Sequence, residues 1–366
     1  MFGLAFYIFL FFSLIVLVQI YFYLFIFLPL STHKEYREQF QEPISIVICG
    51  YNEAQYWQQL IEQLLQQDYA TYEIVLVNDQ STDDTPFIFK QWEHHPKIKI
   101  VNITNDIKKG LGKKFALTLG IKASKYDYLL LTDADCLPKD KYWIQSMVQH
   151  FNRKDMVLGY GGYYKKKGLL NKLIRFDTFL VALQYFSFAL RGKAYMGVGR
   201  NLAYKKSLFF DNKGFASHLH IASGDDDLFV KEVSTSSNTA ISLMASAHTL
   251  SEPKTTVSSW IRQKTRHLTT GIYYSPYHQW MLGLWSSSQI GFWLLFIVLL
   301  FLSDFVIFAL ILFAVRLLVQ LVIARPVLKK IDEFDLIYLF PVFEFLVSAF
   351  YIIFMLNRIF TRRRFW

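Results

Sequence analysis

The chain has 366 residues, of which 53% are hydrophobic and 18% aromatic, and its formal net charge is +10. That apolar content, gathered at the two ends, excludes a wholly soluble globular protein. It also makes an anionic membrane surface, rather than nucleic acid, the natural partner of the positive charge.

In chain order, residues 1–30 carry no charged side chain and can cross a bilayer as one helix. The basic n-region and small-residue cleavage site of a signal peptide are missing, so an uncleaved N-terminal anchor is expected. From about 40 to 250 the pattern changes. The runs "ISIVIC" (44–49), "EIVLV" (73–77), "IKIVNI" (98–103) and "YLLLT" (128–132) are short and continuously apolar, which suits strands buried on both faces. Trp57, Leu60, Ile61, Leu64 and Leu65 keep helical spacing between the first two runs. "KKFALTLGIKAS" predicts a helix closing at Lys122-Ala123-Ser124 before the fourth. Strands alternating with helices imply an α/β fold with a mostly parallel sheet, whose ligands bind at the C-terminal strand ends. Within 251–280, "KTTVSSWIRQKTRHL" (254–268) mixes basic residues with Trp260, Ile261 and Leu268, as an amphipathic segment lying on a membrane does. Residues 283–358 hold three apolar stretches, 283–303, 304–323 and 336–357, and a basic tail follows at 359–366. Arg316 and Glu344 lie inside these stretches and are expected to pair within the helix bundle. "HKEYR" and the basic middle put 31–280 on the cytoplasmic face of the plasma (inner) membrane. Three later spans would put "TRRRFW" on the other side, against the same rule, so the number of true spans stays open. The two cysteines, Cys49 and Cys136, form no disulfide framework and fit a reducing cytosol.

Polar residues follow the strands: "GYNEA", "NDQSTDDT" and "DADC". Asp133 and Asp135, one residue apart, can point the same way from an extended chain and repel unless a cation sits between them. A hard divalent ion such as Mg2+ or Mn2+ suits them. A solvated Asp pair opening a loop before Pro138 explains the tripeptide equally well. Ser81 or Thr82 is placed to cap a helix starting near Asp83, which leaves Asp79 as the better ligand candidate. "GLGKK" (110–114) fails as a P-loop, since Ile107 and Lys114 stand where Gly and Ser or Thr are needed, and no G-x-G-x-x-G follows the first strand. His218-x-His220 reads as a solvated loop rather than a metal pair. A D-x-D-x-T/V phosphatase is disfavoured by Leu137 and Phe229, which replace residues that chemistry requires.

Taken in order, "SIVICGYNEA", "VLVNDQSTDDT", "GLGKKFALTLGI", "LLLTDADC" and "SGDDDLFV" resemble the family 2 glycosyltransferases of the GT-A fold. "RQKTRH" (262–267) resembles the Q-x-x-R-W element of the membrane-bound, cellulose-synthase-like and hyaluronan-synthase-like branch. The resemblance covers most of residues 43–267. It implies a GT-A domain with Asn52, Glu53 and Asp79 at the nucleotide pocket and Lys113 beside the nucleotide. It further implies that Asp133 and Asp135 hold the nucleotide diphosphate and a divalent metal, Mg2+ or Mn2+. Gly199, Arg200 and Asn201 match an acceptor-side segment. Asp225 and Asp226 match a pair whose second member is the general base, and "GDDD" leaves a one-residue ambiguity. Gln263 and Arg266 match donor-binding residues, while His267 replaces a Trp that helps hold the acceptor sugar, and Thr118 replaces a usual Asn. The implied activity is inverting transfer from a UDP- or GDP-linked donor to a lipid-linked, glycan or other membrane-proximal acceptor. The few C-terminal spans and His267 favour single or limited additions over a processive polysaccharide synthase. A non-catalytic nucleotide-binding membrane protein or transport subunit is the rival of another class.

Overall fold

The four apolar runs pair side by side, because continuous apolar stretches present no polar face to water along their length. The structure, a computed structural model, describes residues 3–103, 112–221, 223–302 and 304–360. β1 (Ile44–Gly50), β2 (Tyr72–Asn78), β3 (Ile98–Asn102) and β4 (Tyr128–Asp133) are mutually parallel. After β5 (Cys136–Pro138) come β6 (Met156–Gly159), β7 (Gly161–Tyr163), β8 (Leu202–Lys205), β9 (Thr239–Ser242) and β10 (Thr249–Ser251). The main sheet runs β3-β2-β1-β4-β8-β6-β9, with β8 antiparallel to both its neighbours, and a small sheet runs β5-β10-β7. All of β1 is buried, as expected for a central strand. β3 is not: it is the edge strand, and none of its residues is fully buried.

The helix Gly112–Ala123 lies against β1 and β2 through Gly120. A Cβ there would stand 2.7 Å from Val77 Cγ2 and 2.8 Å from Val47 Cγ1. β-branched side chains in a packed sheet have no rotamer to escape into. Gly120→Val is therefore expected to destabilise the protein by about 3 kcal/mol. Denaturant unfolding of the detergent-solubilised variant checks this, and an unchanged midpoint would refute the packing argument.

The chain divides into two compact units. One holds the sheets, Lys34–Lys165 and Phe188–Pro253. The other is apolar: among the described residues it comprises 3–33, Lys166–Ser187 and 254–360. The block expected at 40–250 is thus interrupted. Its intruder is the helix Leu169–Leu190, one of five helices among the described residues long and apolar enough to cross a membrane. Lys172, Arg175 and Asp177 break its apolar run in the sequence. In the fold two of these charges are paired: Arg175 Nε donates to Glu333 Oε2 at 2.8 Å, and Asp177 meets Lys264. The other four candidate spans are Leu4–Thr32, Pro276–Leu300, Val306–Lys330 and Phe334–Asn357. Arg316 and Glu344 do pair inside them, at 2.7 and 2.9 Å, and Gln19, Gln289 and Gln320 satisfy the remaining guanidinium and carboxylate positions. Residues 361–366 of the basic tail lie outside the described residues.

Candidate active site

The ends of β1 and β2 are joined by polar side chains. Asn52 adopts φ 57°, the left-handed region that Asn tolerates better than most residues. Its Oδ1 accepts from Thr82 N at 2.8 Å, and its own N–H donates to Ser81 Oγ at 3.0 Å. Asp83 accepts from Ala54 N at 2.9 Å and from Thr85 N at 3.1 Å. Ser81 and Thr82 therefore tie two loops together and cap no helix. The helix begins later than expected, at Thr85, because Pro86 suits its first turn. Glu53 precedes the helix Ala54–Leu65, and Asp79, 9% exposed, donates its N–H to Gly50 O at 2.9 Å. Asn52, Glu53 and Asp79 thus share one end of the sheet.

The end of β4 meets two distant segments. Lys113 Nζ lies 2.8 Å from Asp133 Oδ1 and 2.9 Å from Asp225 Oδ2. Burial pulls the Lys113 pKa down, but the two carboxylates outweigh it and hold the ammonium well above its ordinary range. Burial pushes Asp225 up, yet Lys113 outweighs that and keeps Asp225 below the usual carboxylate value. Asp226 behaves oppositely. Burial first, then the neighbouring Asp225 and Asp227, push its carboxyl up to about 7. Its Oδ2 accepts from Gly199 N at 2.7 Å and its Oδ1 from Asp227 N at 2.8 Å. Lys113, Asp133, Gly199, Asp225 and Asp226 line one small pocket, floored by Val47 and Cys49. Adjacent acids pushed apart in this way suit different roles, one fixed as an anion and one able to exchange a proton.

Asp133, Asp135 and Cys136 present ligand atoms within 4.8 Å of one another. Burial, then the nearby Asp135 and Asp133, raise the Cys136 thiol well above its ordinary value, and Ser251 Oγ stands 2.9 Å from the sulfur. A neutral thiol is a poor ligand. The two carboxylates are hard donors, so the set fits Mg2+ or Mn2+.

Of the three acceptor-side residues, only Gly199 lines the pocket. Arg200 Nη2 donates to Gly161 O at 2.7 Å, and its guanidinium covers the Tyr163 ring. Asn201 is fully buried, donates to Tyr160 O and Ala247 O, and accepts from Trp143 Nε1 at 3.1 Å. Both side chains bond to backbone carbonyls of the scaffold, in the turn that precedes β8. Gln263, Arg266 and His267 lie on the helix Val257–His267 and belong to the apolar unit. His218 is buried, not solvated: its Nδ1 stands 3.2 Å from Glu232 Oε1, and His220 faces solvent. Lys114 is legible in the sequence only as a failed P-loop position. It is 2% exposed, and its Nζ donates to His218 O at 2.6 Å and Ile221 O at 3.0 Å, which pins the segment leading into Asp225.

The family model for glycosyl transferase family 2 matches residues 45–211. An uncharacterized glycosyltransferase of Haemophilus influenzae is 31% identical over 120 residues, 33% of this chain and 36% of that protein. A poly-beta-1,6-N-acetyl-D-glucosamine synthase of Staphylococcus epidermidis is 33% identical over 99 residues, 27% of this chain and 23% of that protein. The glycosyltransferase GlyG of Streptococcus pneumoniae is 32% identical over 124 residues, 34% of this chain and 40% of that protein. The chain therefore spans well under half the length of these curated relatives. Among solved structures, the mannosyltransferase PcManGT from Pyrobaculum calidifontis, in complex with GDP-Man and Mn2+, shares the fold with a TM-score of 0.59. That alignment covers 98% of this chain and 99% of that one at 16% identity. The family match runs from β1 to the helix after β8, so residues 45–211 are similar to glycosyl transferase family 2, and the fold shared with PcManGT along both chains is the GT-A fold.

Proposed function

We propose that the protein is a membrane-bound inverting glycosyltransferase. It moves a sugar from a UDP- or GDP-linked donor to a lipid-linked, glycan or other membrane-proximal acceptor, on the cytoplasmic face of the plasma (inner) membrane. The meeting of Lys113, Asp133, Gly199, Asp225 and Asp226 in one pocket supports this reading, with Asp225 held down by Lys113 and Asp226 pushed up by burial. An acceptor hydroxyl must lose its proton as it attacks, and Asp226 has the proton affinity of a base working near neutral pH. Attack from the face opposite the leaving diphosphate inverts the anomeric centre. Asp133 and Asp135 would hold Mg2+ or Mn2+, which when bound offsets charge developing on the diphosphate. Lys113 stands between Asp133 and Asp225, where its ammonium can turn to the same diphosphate. Asn52, Glu53 and Asp79 are assigned to the nucleotide, Gln263 and Arg266 to the donor phosphates, and Gly199 and His267 to the acceptor side.

A processive polysaccharide synthase is the second reading, favoured by the relatives that are poly-beta-1,6-N-acetyl-D-glucosamine synthases. The test is detergent-solubilised protein with Mg2+ or Mn2+, a panel of UDP- and GDP-sugars and membrane lipid extract, with products read by mass spectrometry. One or a few sugars added to an acceptor supports the first reading, and a ladder of long chains supports the second. Nucleotide affinity without any turnover would sink both and leave a non-catalytic binder.

A further inference from the structure

The helix Val257–His267 carries Gln263, Arg266 and His267 and is fastened within the apolar unit. Trp260, 1% exposed, packs edge-on against Phe350 and Phe354, with ring centroids 5.0 and 5.3 Å away. Thr265 Oγ1 accepts from Asn357 Nδ2 at 2.9 Å. Lys264 Nζ lies 2.7 Å from Asp177 Oδ2, with side chains 12% and 2% exposed. Tyr351 donates to the other oxygen, Asp177 Oδ1, at 3.3 Å. With about 3.6 residues per turn, Trp260 and Lys264 share one side of the helix, Gln263 lies at its flank and Arg266 falls on the opposite side.

A carboxylate enclosed in an apolar helix is costly, and an apolar residue would pack there without that cost. Its two oxygens are both committed, one to the helix that bears Arg266 and one to the helix Phe340–Phe360. We propose that Asp177 is a positioning residue for sugar transfer. Through Lys264 it fixes the rotation and height of the helix Val257–His267, and so where Gln263 and Arg266 stand. The inference rests on the assignment of Arg266 to the donor diphosphate.

The test compares Asp177→Asn, Lys264→Met, the double variant, Lys264→Arg and Arg266→Ala in the full-length detergent-solubilised protein, at a temperature where each is folded. Small displacements of a positioned group can cost up to about 100-fold in rate. Asp177→Asn and Lys264→Met are each expected to lower kcat/KM for transfer about 30-fold. The double variant should lose no more than either single, and Lys264→Arg should stay within about threefold of wild type. Losses that multiply in the double variant, or a lowered Tm with wild-type kcat/KM, would overturn the inference. If Asp177→Asn does not fold, Lys264→Met and Lys264→Arg decide the question. Arg266→Ala separates the two layers. If it loses transfer while Asp177→Asn does not, only the positioning role fails. If it keeps full transfer, the diphosphate assignment fails and the positioning role with it.

Discussion

Asp226→Asn is expected to lower sugar transfer by about 10³-fold and to leave nucleotide affinity within about twofold of wild type. The amide is nearly isosteric. It still accepts one of the two backbone N–H groups, from Gly199 and Asp227, that hold the carboxylate in place. What it lacks is a lone pair basic enough to take the acceptor's proton. Asp225→Asn is expected to act differently. It removes a counter-charge from Lys113, so its main effect falls on donor KM. Steady-state kinetics beside calorimetric titration of the nucleotide diphosphate separates the two. If Asp225→Asn lost the chemical step and Asp226→Asn did not, the base would be one residue earlier in "GDDD".

The base role proposed for Asp226 carries an expected pH dependence. Only its ionised form accepts a proton, so kcat/KM should fall as pH drops through about 7 and level off above it. Asp225 is one cause of that high value. Removing its charge in Asp225→Asn should move the rising limb to lower pH. A limb that stays in place would mean that another group titrates.

The four parallel strands are legible in the sequence as short apolar runs between helical and turn signals, although β3 ends up on the sheet edge and is not fully buried. The acidic strand ends are legible for a related reason, since charges there need a partner. Which charges pair is not. Nothing in "GLGKK" says that its first Lys bridges Asp133 and Asp225 while the second is buried against backbone carbonyls. Arg200 and Asn201 match an acceptor-side segment by resemblance alone, which carries no information on burial, and tertiary packing encloses Asn201. The helix Leu169–Leu190 is hidden by Lys172, Arg175 and Asp177. Charge lowers the apparent apolar content, and no local pattern says that Glu333 and Lys264 meet two of those charges from far along the chain.

The second large effect concerns Asp135. Asp133 already shares its charge with Lys113, so a divalent cation at this pair depends on Asp135 for its second carboxylate. Asp135→Asn is expected to lower transfer at a fixed Mg2+ or Mn2+ concentration by about 10²- to 10³-fold, partly restored by excess metal. Chelator dialysis of wild type should abolish transfer, and added Mn2+ should restore it. Lys113→Met offers the opposite sign for metal and the same sign for activity. It leaves Asp133 and Asp225 without their shared ammonium, which should strengthen cation binding. On the proposed role of Lys113 beside the donor diphosphate, it should also lower transfer. Mn2+ titration followed by electron paramagnetic resonance reads these affinities directly. Binding that weakens in Asp135→Asn and tightens in Lys113→Met places the cation at the two carboxylates. Equal Mn2+ affinity in wild type and Asp135→Asn would remove the metal from this pair and leave Lys113 as the cation that serves it.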